Sequence, residues 1–259
     1  MYFSYMITVN IIGLGNVGSH VCKALIKANN VSIKQCLVRT RKNYLFLSEN
    51  TQVIDDIALL EPADITVIAI PDDAIKEVSN KIPYSDNIVM HTSGSVGIHD
   101  LNAKHKRAVF YPLQTFSTNS ELEFKDVPIC VEALDKEVYK TVVDIAESLG
   151  STAHKIYTQQ RQKLHLAAVF VNNFTNQLYR IAHELVDADH ISFDILKPLI
   201  QETACKVQDT SPYAAQTGPA VRNDKKTIRK HLKQLDSQEH KLIYEILTKA
   251  IQKTHGKKL

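Results

Sequence analysis

Short apolar runs alternate with amphipathic stretches over residues 6–157, and this alternation constrains the fold more than any other feature of the chain. The run at 61–70 is almost continuous in apolar residues, as in a strand that is covered on both faces. This pattern is typical of an α/β fold, with a doubly wound and mostly parallel sheet and crossover helices. The predicted strands are 7–12, 31–39, 51–54, 61–70, 87–91, 107–112, 127–132 and 151–157.

Strand signals stop after about residue 158. Amphipathic stretches then predict helices over 161–188, 192–208, 226–235 and 238–253, whereas the Pro- and Gly-containing segment 209–224 predicts a loop. We therefore expect two domains, a Rossmann-like domain over 1–157 and an all-helical domain over 158–259.

The sequence GLGNVG lies between the first predicted strand and a predicted helix over 16–29. Three glycines so close together often mark only a tight turn. A strand, glycine turn, helix and strand in succession is also the context of a dinucleotide-phosphate site. We expect Gly13 to permit the turn, Gly15 to let the backbone approach a pyrophosphate, and Gly18 to let the helix pack closely. The site would also include Leu14, Asn16 and Val17, with the positive end of the helix under the phosphates.

The end of the second predicted strand indicates which dinucleotide is bound. An NAD-binding protein usually carries Asp or Glu about 20 residues beyond the last glycine, to bind the ribose 2′-hydroxyl. Here the sequence is VRTRK, with Arg39, Thr40 and Arg41 at that position. Guanidinium groups and a hydroxyl suit a 2′-phosphate, so we expect NADP(H) rather than NAD(H). A solvated basic turn is the alternative.

Ligands of open α/β sheets bind outside the carboxyl ends of the strands. Three predicted strands lead into AIPDD, HTSGSVG and YPLQTFS, which are therefore the first segments in which to seek contacts. Turn formation at Ser93-Gly94 is the plain alternative for the second of them. We expect Ile70 and Pro71 on the adenosine side, Thr92 and Ser93 near the nicotinamide, and His91 and Gln114 toward the substrate.

The long predicted helix after residue 158 carries a polar line. At about 100° per residue, six polar side chains fall near one direction. We expect His165 to be a general acid and Asn172 to orient it, because hydride transfer to a carbonyl or imine needs a proton donor. The alternative is a solvent or interface face on which His165 is structural. The line consists of Arg161, His165, Asn172, Asn176, Tyr179 and His183.

The segment TGPAVRND forms a second group of interest, because a tight loop there carries Arg222. An Arg on a rigid loop can clamp a substrate carboxylate, and we expect Arg222 to do so. Asp224 is placed to cap the helix that follows. A solvated Arg222 is the alternative.

Composition excludes several other classes. A net charge of +3 without a concentrated basic stripe argues against a nucleic-acid partner. Four scattered cysteines without a C-x-x-C spacing argue against a metal site and fit a reducing compartment. No apolar run approaches the roughly 18 residues of a membrane span, so we expect a cytoplasmic protein without a membrane partner.

Taken in order, GLGNVG, AIPDDAI, HTSGS, FYPLQTFS, KLHLAAVFVNNF and QTGPAVRND resemble a bacterial family assigned as NADP oxidoreductases. Its members join a Rossmann-like domain to a C-terminal helical domain of unknown function. The sequence is more distantly similar to pyrroline-5-carboxylate reductase, β-hydroxyacid dehydrogenases and deazaflavin-dependent NADP reductases. The resemblance implies a nicotinamide-binding fold and a homodimer through the helical domain. It leaves the substrate open.

One departure from this wider group concerns catalysis. The β-hydroxyacid dehydrogenases carry a catalytic Lys followed four residues later by Asn, but here Lys163 is followed by Ala167. This departure argues against β-hydroxyacid oxidation by that route. From the cofactor motifs and the resemblance, we expect an NADP(H)-dependent oxidoreductase that acts on a small carbonyl or imine compound bound between the domains. The alternative is an NADP-binding sensor or scaffold without turnover, and the resemblance also allows a deazaflavin as second cofactor.

Overall fold

A computed structural model describes residues 6–41, 44–117 and 122–255 of the chain, so Lys42 of the basic segment lies outside the described residues. The chain divides into two compact units, Met1–Asn173 and Phe174–Leu259. Residues 158–173 thus group with the first unit, whereas the sequence placed the domain boundary at residue 157. The predicted division into domains 1–157 and 158–259 remains a prediction.

The first unit contains one sheet of eight strands in the order β3-β2-β1-β4-β5-β6-β7-β8. Neighbouring strands run parallel, except that β6 and β7 pair antiparallel. The predicted doubly wound, mostly parallel sheet is therefore confirmed. The strands are β1 (Ile7–Ile12), β2 (Val31–Leu37), β3 (Gln52–Ile54), β4 (Ile65–Ile68), β5 (Ile88–His91), β6 (Lys106–Pro112), β7 (Ile129–Ala133) and β8 (Ala153–Lys155).

The fourth strand is shorter than the apolar run that predicted it. Residues 61–64 precede β4 as a loop, because Asp64 is held there by the backbone N–H and the hydroxyl of Thr8, which donate to it over 2.8 and 2.7 Å. All four residues of β4 are buried. This burial explains why three of its four residues are apolar, and the hydroxyl of the fourth, Thr66, lies 2.7 Å from that of Tyr84.

Helices cover both faces of the sheet. On one face, α1 (Asn16–Lys27) and α3 (Lys136–Ser148) contribute Val21, Leu25 and Val142 to the larger apolar core. On the other face, a short 3-10 turn leads into α2 (Ile75–Lys81), which packs in the second core cluster. Asp135 caps α3 by accepting from the amides of Glu137 and Val138.

The stretch predicted as one α-helix over 161–188 is interrupted. It begins earlier, as α4 (Thr158–Ala168), passes through a π-helical turn over Val169–Phe174, and continues as α5 (Thr175–Asp187). A π-helical turn holds more residues than an α-helical turn. The polar line that the sequence predicted at a constant 100° per residue is therefore wrong beyond residue 168.

The second unit is helical, as predicted. After α5 it contains a 3-10 turn and α6 (Lys197–Asp209), α8 (Lys225–Gln234) and α9 (Gln238–His255). The predicted loop 209–224 also holds one short helix, α7 (Pro212–Ala215), whose first turn is capped by the Ser211 hydroxyl. No helix in the described part of the chain has the length and apolar character needed to cross a membrane.

Candidate functional site

A cavity of about 930 Å³ opens at the carboxyl ends of β1, β2 and β4 in the first unit. Strand order reverses here, because β1 lies between β2 and β4. Such a reversal is where open α/β sheets bind their ligands. Most of the walls come from four segments, namely residues 12–15 after β1, 37–40 after β2, 55–57 after β3 and, after β4, residues 69–71 with 73–74. Tyr44, Val78 and Lys81 complete the lining.

Two of the three motif glycines are required by packing. Gly13 has φ +92°, and a Cβ there would lie 2.5 Å from the carbonyl oxygen of Ala69. A Cβ on Gly18 would lie 2.0 Å from the carbonyl oxygen of Gly13. These contacts bring the start of α1 tightly against the turn that ends β1.

Gly15 differs from its two neighbours in the motif. A Cβ there would meet nothing within 4 Å, and the residue lines the cavity together with Leu14. Gly15 is also the N-cap of α1 and, as a glycine, has no side chain with which to cap the first turn. Helix α1 begins at Asn16, so Asn16 and Val17 supply amides of that turn. Open space beside the N-terminus of a helix fits a phosphate group.

The basic segment after β2 divides into two parts. Arg39 and Thr40 line the cavity and are exposed, as a site for a 2′-phosphate requires. Arg41 instead donates to a carboxylate oxygen of Asp55 over 2.8 Å. Asp55 follows β3 and itself lines the cavity, as does Tyr44. The sequence showed no acid near Arg39, but the parallel pairing of β2 with β3 brings one beside the basic segment.

Of the residues predicted to contact the adenosine and the nicotinamide, only the first pair lines the cavity. Ile70 and Pro71 line the cavity. Thr92 and Ser93 are buried and lie outside its lining. The Ser93 hydroxyl accepts from two amides of its own loop, each over 3.0 Å, so the expected turn forms there. A cofactor contact of Thr92 or Ser93 remains a prediction.

His91 ends β5 inside the first unit and is fully buried. Its Nδ1 atom accepts from the amide of Ser93 over 3.1 Å. Burial, with the nearby positive charge of Arg161, lowers the pKa of His91 to about 3, so the ring is neutral at physiological pH. Gln114 is exposed and accepts from the Thr115 amide over 2.8 Å. The substrate roles of both residues remain predictions.

His165 lies on α4 against two elements of the sheet. Its Nδ1 atom is 3.0 Å from the hydroxyl oxygen of Tyr111 at the end of β6. A Cβ on Gly94 would lie 2.6 Å from the imidazole, so the loop after β5 closes directly onto the ring. Burial raises the pKa of Tyr111 to about 12. The sequence contained Tyr111 within YPLQTFS, but nothing in the local pattern paired it with a residue 54 positions later.

Arg161 lies one turn before His165 within α4, on the face that the sequence predicted for both. Its side chain is fully buried and donates to Glu132 and to the carbonyl of Val96. Thr158 also donates to Glu132, over 2.8 Å. The terminal guanidinium nitrogens of Arg161 have these partners, whereas its buried Nε has none among the described residues. Since a buried charge needs such partners, Arg161 anchors α4 to β7.

Asn172 and Arg222 take part in none of the hydrogen bonds described above. Asn172 is exposed within the π-helical turn, and Arg222 is exposed in the loop before α8. Asp224 caps α8, accepting from the amide and the hydroxyl of Thr227 over 3.0 and 2.7 Å. These hydrogen bonds lower the pKa of Asp224. The roles of Asn172 and Arg222 remain predictions.

The chain is similar to one family model and to several solved structures. Residues 127–251 match the family model of a domain of unknown function, DUF2520. No curated protein sequence matches. The solved structure of BF3122 from Bacteroides fragilis, provisionally named an NADP oxidoreductase, is 34% identical, with a TM-score of 0.87 over 95% of this chain and 98% of that one.

Two more distant structures share the fold. Protein TM1727 from Thermotoga maritima is 18% identical, with a TM-score of 0.73 over 96% of this chain and 98% of that one. Plasmodium falciparum pyrroline carboxylate reductase, solved with NADP bound, is 17% identical, with a TM-score of 0.59 over 96% and 97%. The 34% identity to BF3122 extends over almost the full length of both chains. The chain therefore belongs to the family of BF3122, the NADP oxidoreductase family that its motifs resemble.

Proposed function

We propose that the protein is an NADP(H)-dependent oxidoreductase that transfers a hydride to or from a small carbonyl or imine compound. The observation that carries this proposal is the cavity at the strand-order reversal, with Gly15 open on one side and Arg39 on the other. The name of BF3122 and the NADP bound by the Plasmodium falciparum reductase support the same cofactor.

The chain offers matching groups for the phosphates and the adenosine of the cofactor. The backbone of Gly15 and the first amides of α1 would hold the pyrophosphate. Arg39 and Thr40 would bind the 2′-phosphate, since they are the exposed polar groups of the basic segment that line the cavity. Ile70 and Pro71 would pack against the adenosine side.

When bound, the reduced nicotinamide supplies the hydride. The carbonyl oxygen or imine nitrogen of the substrate gains an electron pair and must receive a proton. His165 is the proposed donor of that proton in reduction and its acceptor in oxidation. Two further points remain predictions from the sequence. One is a substrate site between the domains, and the other is contact with the substrate by Asn172, His91, Gln114 and Arg222.

A second candidate function is an NADP-binding sensor or scaffold without turnover. It is favoured by the absence of the Lys–Asn pair, since Ala167 stands four residues after Lys163. Oxidation of NADPH should be followed across a panel of carbonyl, imine and deazaflavin compounds. Oxidation by the wild type, reduced about 10²- to 10⁴-fold by His165→Ala, supports the proposal. Binding without oxidation favours the sensor, and unchanged turnover of His165→Ala removes His165 from the reaction.

We also propose that the second unit forms a homodimer. Among its described residues, Ala220 and Leu235 are the only buried apolar side chains, so this unit has almost no core of its own. A stable interface typically buries about 1,200–2,000 Å² of mainly well-packed surface, which a second copy of these helices can supply. The exposed apolar side chains of the unit include Leu178, Leu185, Ile195, Leu199, Leu242, Ile246 and Leu247.

Analytical ultracentrifugation tests the dimer. We expect the wild type to sediment as a dimer, and Ile246→Lys to shift it toward monomer, because a charge in an apolar interface is costly. Leu45→Lys, at an exposed residue of the first unit, is the matched control and should leave the mass unchanged. A monomeric wild type at micromolar concentration would contradict this part of the proposal.

A further inference from the structure

Tyr111 and His165 form a pair that joins β6 to α4 within the first unit. The Tyr111 hydroxyl oxygen lies 3.0 Å from Nδ1 of His165. The two rings meet edge to face, with centroids 5.9 Å apart and an interplanar angle of 77°. The contact therefore fixes one specific nitrogen of the imidazole and the orientation of its plane.

Gly94 closes on the same side of the imidazole. A Cβ at this position would lie 2.6 Å from both Cγ and Nδ1 of His165. Because the neighbour is a ring rather than the end of a flexible chain, only glycine allows this approach. The Nδ1 side of His165 is thus enclosed by the loop after β5 as well as by Tyr111.

The other nitrogen is left available. Within the described part of the chain, Nε2 of His165 makes no hydrogen bond. It is also not one of the fully buried atoms that lack a partner, so solvent reaches it. His165 as a whole is half-buried. Nε2 is therefore the nitrogen that an incoming small molecule can reach.

The direction of the Tyr111 hydrogen bond decides where the imidazole proton lies. Burial raises the pKa of Tyr111 to about 12, so its hydroxyl keeps its proton at neutral pH and can donate. A neutral imidazole has one N–H and one acceptor nitrogen, so accepting at Nδ1 leaves the hydrogen on Nε2. An imidazolium ring carries hydrogen on both nitrogens and would donate from Nδ1 to the Tyr111 oxygen.

We propose that Tyr111 is a positioning residue, which holds Nδ1 of His165 and so makes Nε2–H the group that His165 presents to a substrate. The inference rests on the proposed role of His165 as the proton donor. It specifies which of the two nitrogens performs that role and which neighbour selects it.

Nitrogen-15 NMR of histidine-labelled protein tests this inference, because the two ring nitrogens report the tautomer directly. Spectra at about pH 9, above the ordinary titration range of imidazole, compare the wild type with Tyr111→Phe. The His165 signals are identified by their loss in His165→Gln. Thermal unfolding of Tyr111→Phe, which keeps the aromatic ring, verifies that the variant is folded.

The chain provides a matched control in its second unit. Nδ1 of His231 lies 2.8 Å from the Tyr244 hydroxyl, with ring centroids 5.8 Å apart and an interplanar angle of 87°. Tyr244→Phe removes an equivalent hydroxyl from a histidine outside the proposed site. It should change the His231 signals and leave those of His165 as they are.

We expect wild-type His165 to be in the Nε2–H form, and Tyr111→Phe to raise the Nδ1–H population about fivefold, as loss of one neutral hydrogen bond implies. An Nδ1–H tautomer in the wild type, or unchanged nitrogen shifts in Tyr111→Phe, would overturn the inference. The measurement needs neither cofactor nor substrate. Its failure is therefore distinguishable from failure of the proposed oxidoreductase function, which depends on NADPH binding and oxidation.

Discussion

Arg41 and Asp55 form an ion pair across 2.8 Å, which links the segment after β2 to the residue after β3. The two side chains are 57% and 47% exposed, so solvent weakens their attraction. Asp55 lines the cavity and Arg41 does not. One of the guanidinium groups predicted to bind the 2′-phosphate is therefore held by a carboxylate of the same site.

Asp55→Asn should strengthen NADPH binding. The change removes a negative charge from the cavity and releases Arg41. Because an exposed ion pair contributes up to about 1 kcal/mol, the Kd for NADPH should fall by up to about fivefold. NADH, which lacks the 2′-phosphate, should respond less. Asp194→Asn breaks an exposed pair with Lys197 in the second unit and is the matched control. Equal effects of Asp55→Asn on both cofactors would contradict the placement of the 2′-phosphate.

The motif glycines should separate binding from stability. Gly15→Ala places a methyl group in open space, so the free energy of unfolding should change by less than about 1 kcal/mol. The same methyl group occupies the proposed pyrophosphate position, and NADPH binding should weaken at least about tenfold. Calorimetric titration and urea unfolding measure the two effects on one sample.

Gly18→Ala should behave in the opposite way. Alanine in a helix is normally about 1 kcal/mol better than glycine, but here the Cβ would lie 2.0 Å from the Gly13 carbonyl oxygen. We expect urea unfolding to show a loss of about 1–3 kcal/mol, as for overpacked positions. A stabilised Gly18→Ala protein would mean that the turn and α1 are not packed as described.

The buried pair of Arg161 and Glu132 should be essential for stability. Arg161→Met leaves the Glu132 carboxylate buried, with Thr158 as its one remaining side-chain donor among the described residues. Breaking such a pair costs about 3–5 kcal/mol. Adding Glu132→Leu removes the unpaired charge and should restore much of that loss. Urea unfolding of the single and double variants checks both statements, and additive losses would count against a direct pair.

His91 should make stability depend on pH. Burial lowers its pKa in the folded protein to about 3, so the unfolded chain takes up the proton first as the pH falls. The contribution of His91 to stability is full above about pH 6.5 and is lost as the pH falls toward 3, by at most about 1.4 kcal/mol per pH unit. Urea unfolding between pH 7 and 5 should show a smaller slope for His91→Asn. Identical slopes would show that His91 is not buried in its neutral form.

Much of the α/β unit was accessible from the sequence, because its signals are local. Alternating apolar runs predicted the strands, and the glycine spacing predicted the turn into α1. The π-helical turn at 169–174 was not predicted. The residues VFVNNF offer no break in the helical pattern, so a regular 100° rotation was the reasonable expectation.

Side-chain contacts between distant parts of the chain could not be predicted from the local sequence either. Asp55 reaches Arg41 only because β3 pairs in parallel with β2. Tyr111 reaches His165 only because α4 returns over the end of β6. The sequence places Arg161 on a polar helix face, and only the fold brings Glu132 beside it. Each pair depends on topology, which the spacing of residues does not encode.

Isothermal titration of the purified full-length chain with NADPH and, separately, NADH tests the central claim most directly. We expect NADPH to bind at least about tenfold more tightly, because it alone carries the 2′-phosphate that we propose Arg39 and Thr40 to bind. Arg39→Ala should remove most of that difference while leaving NADH binding nearly unchanged. Tighter binding of NADH, or no binding of either dinucleotide, would contradict the account.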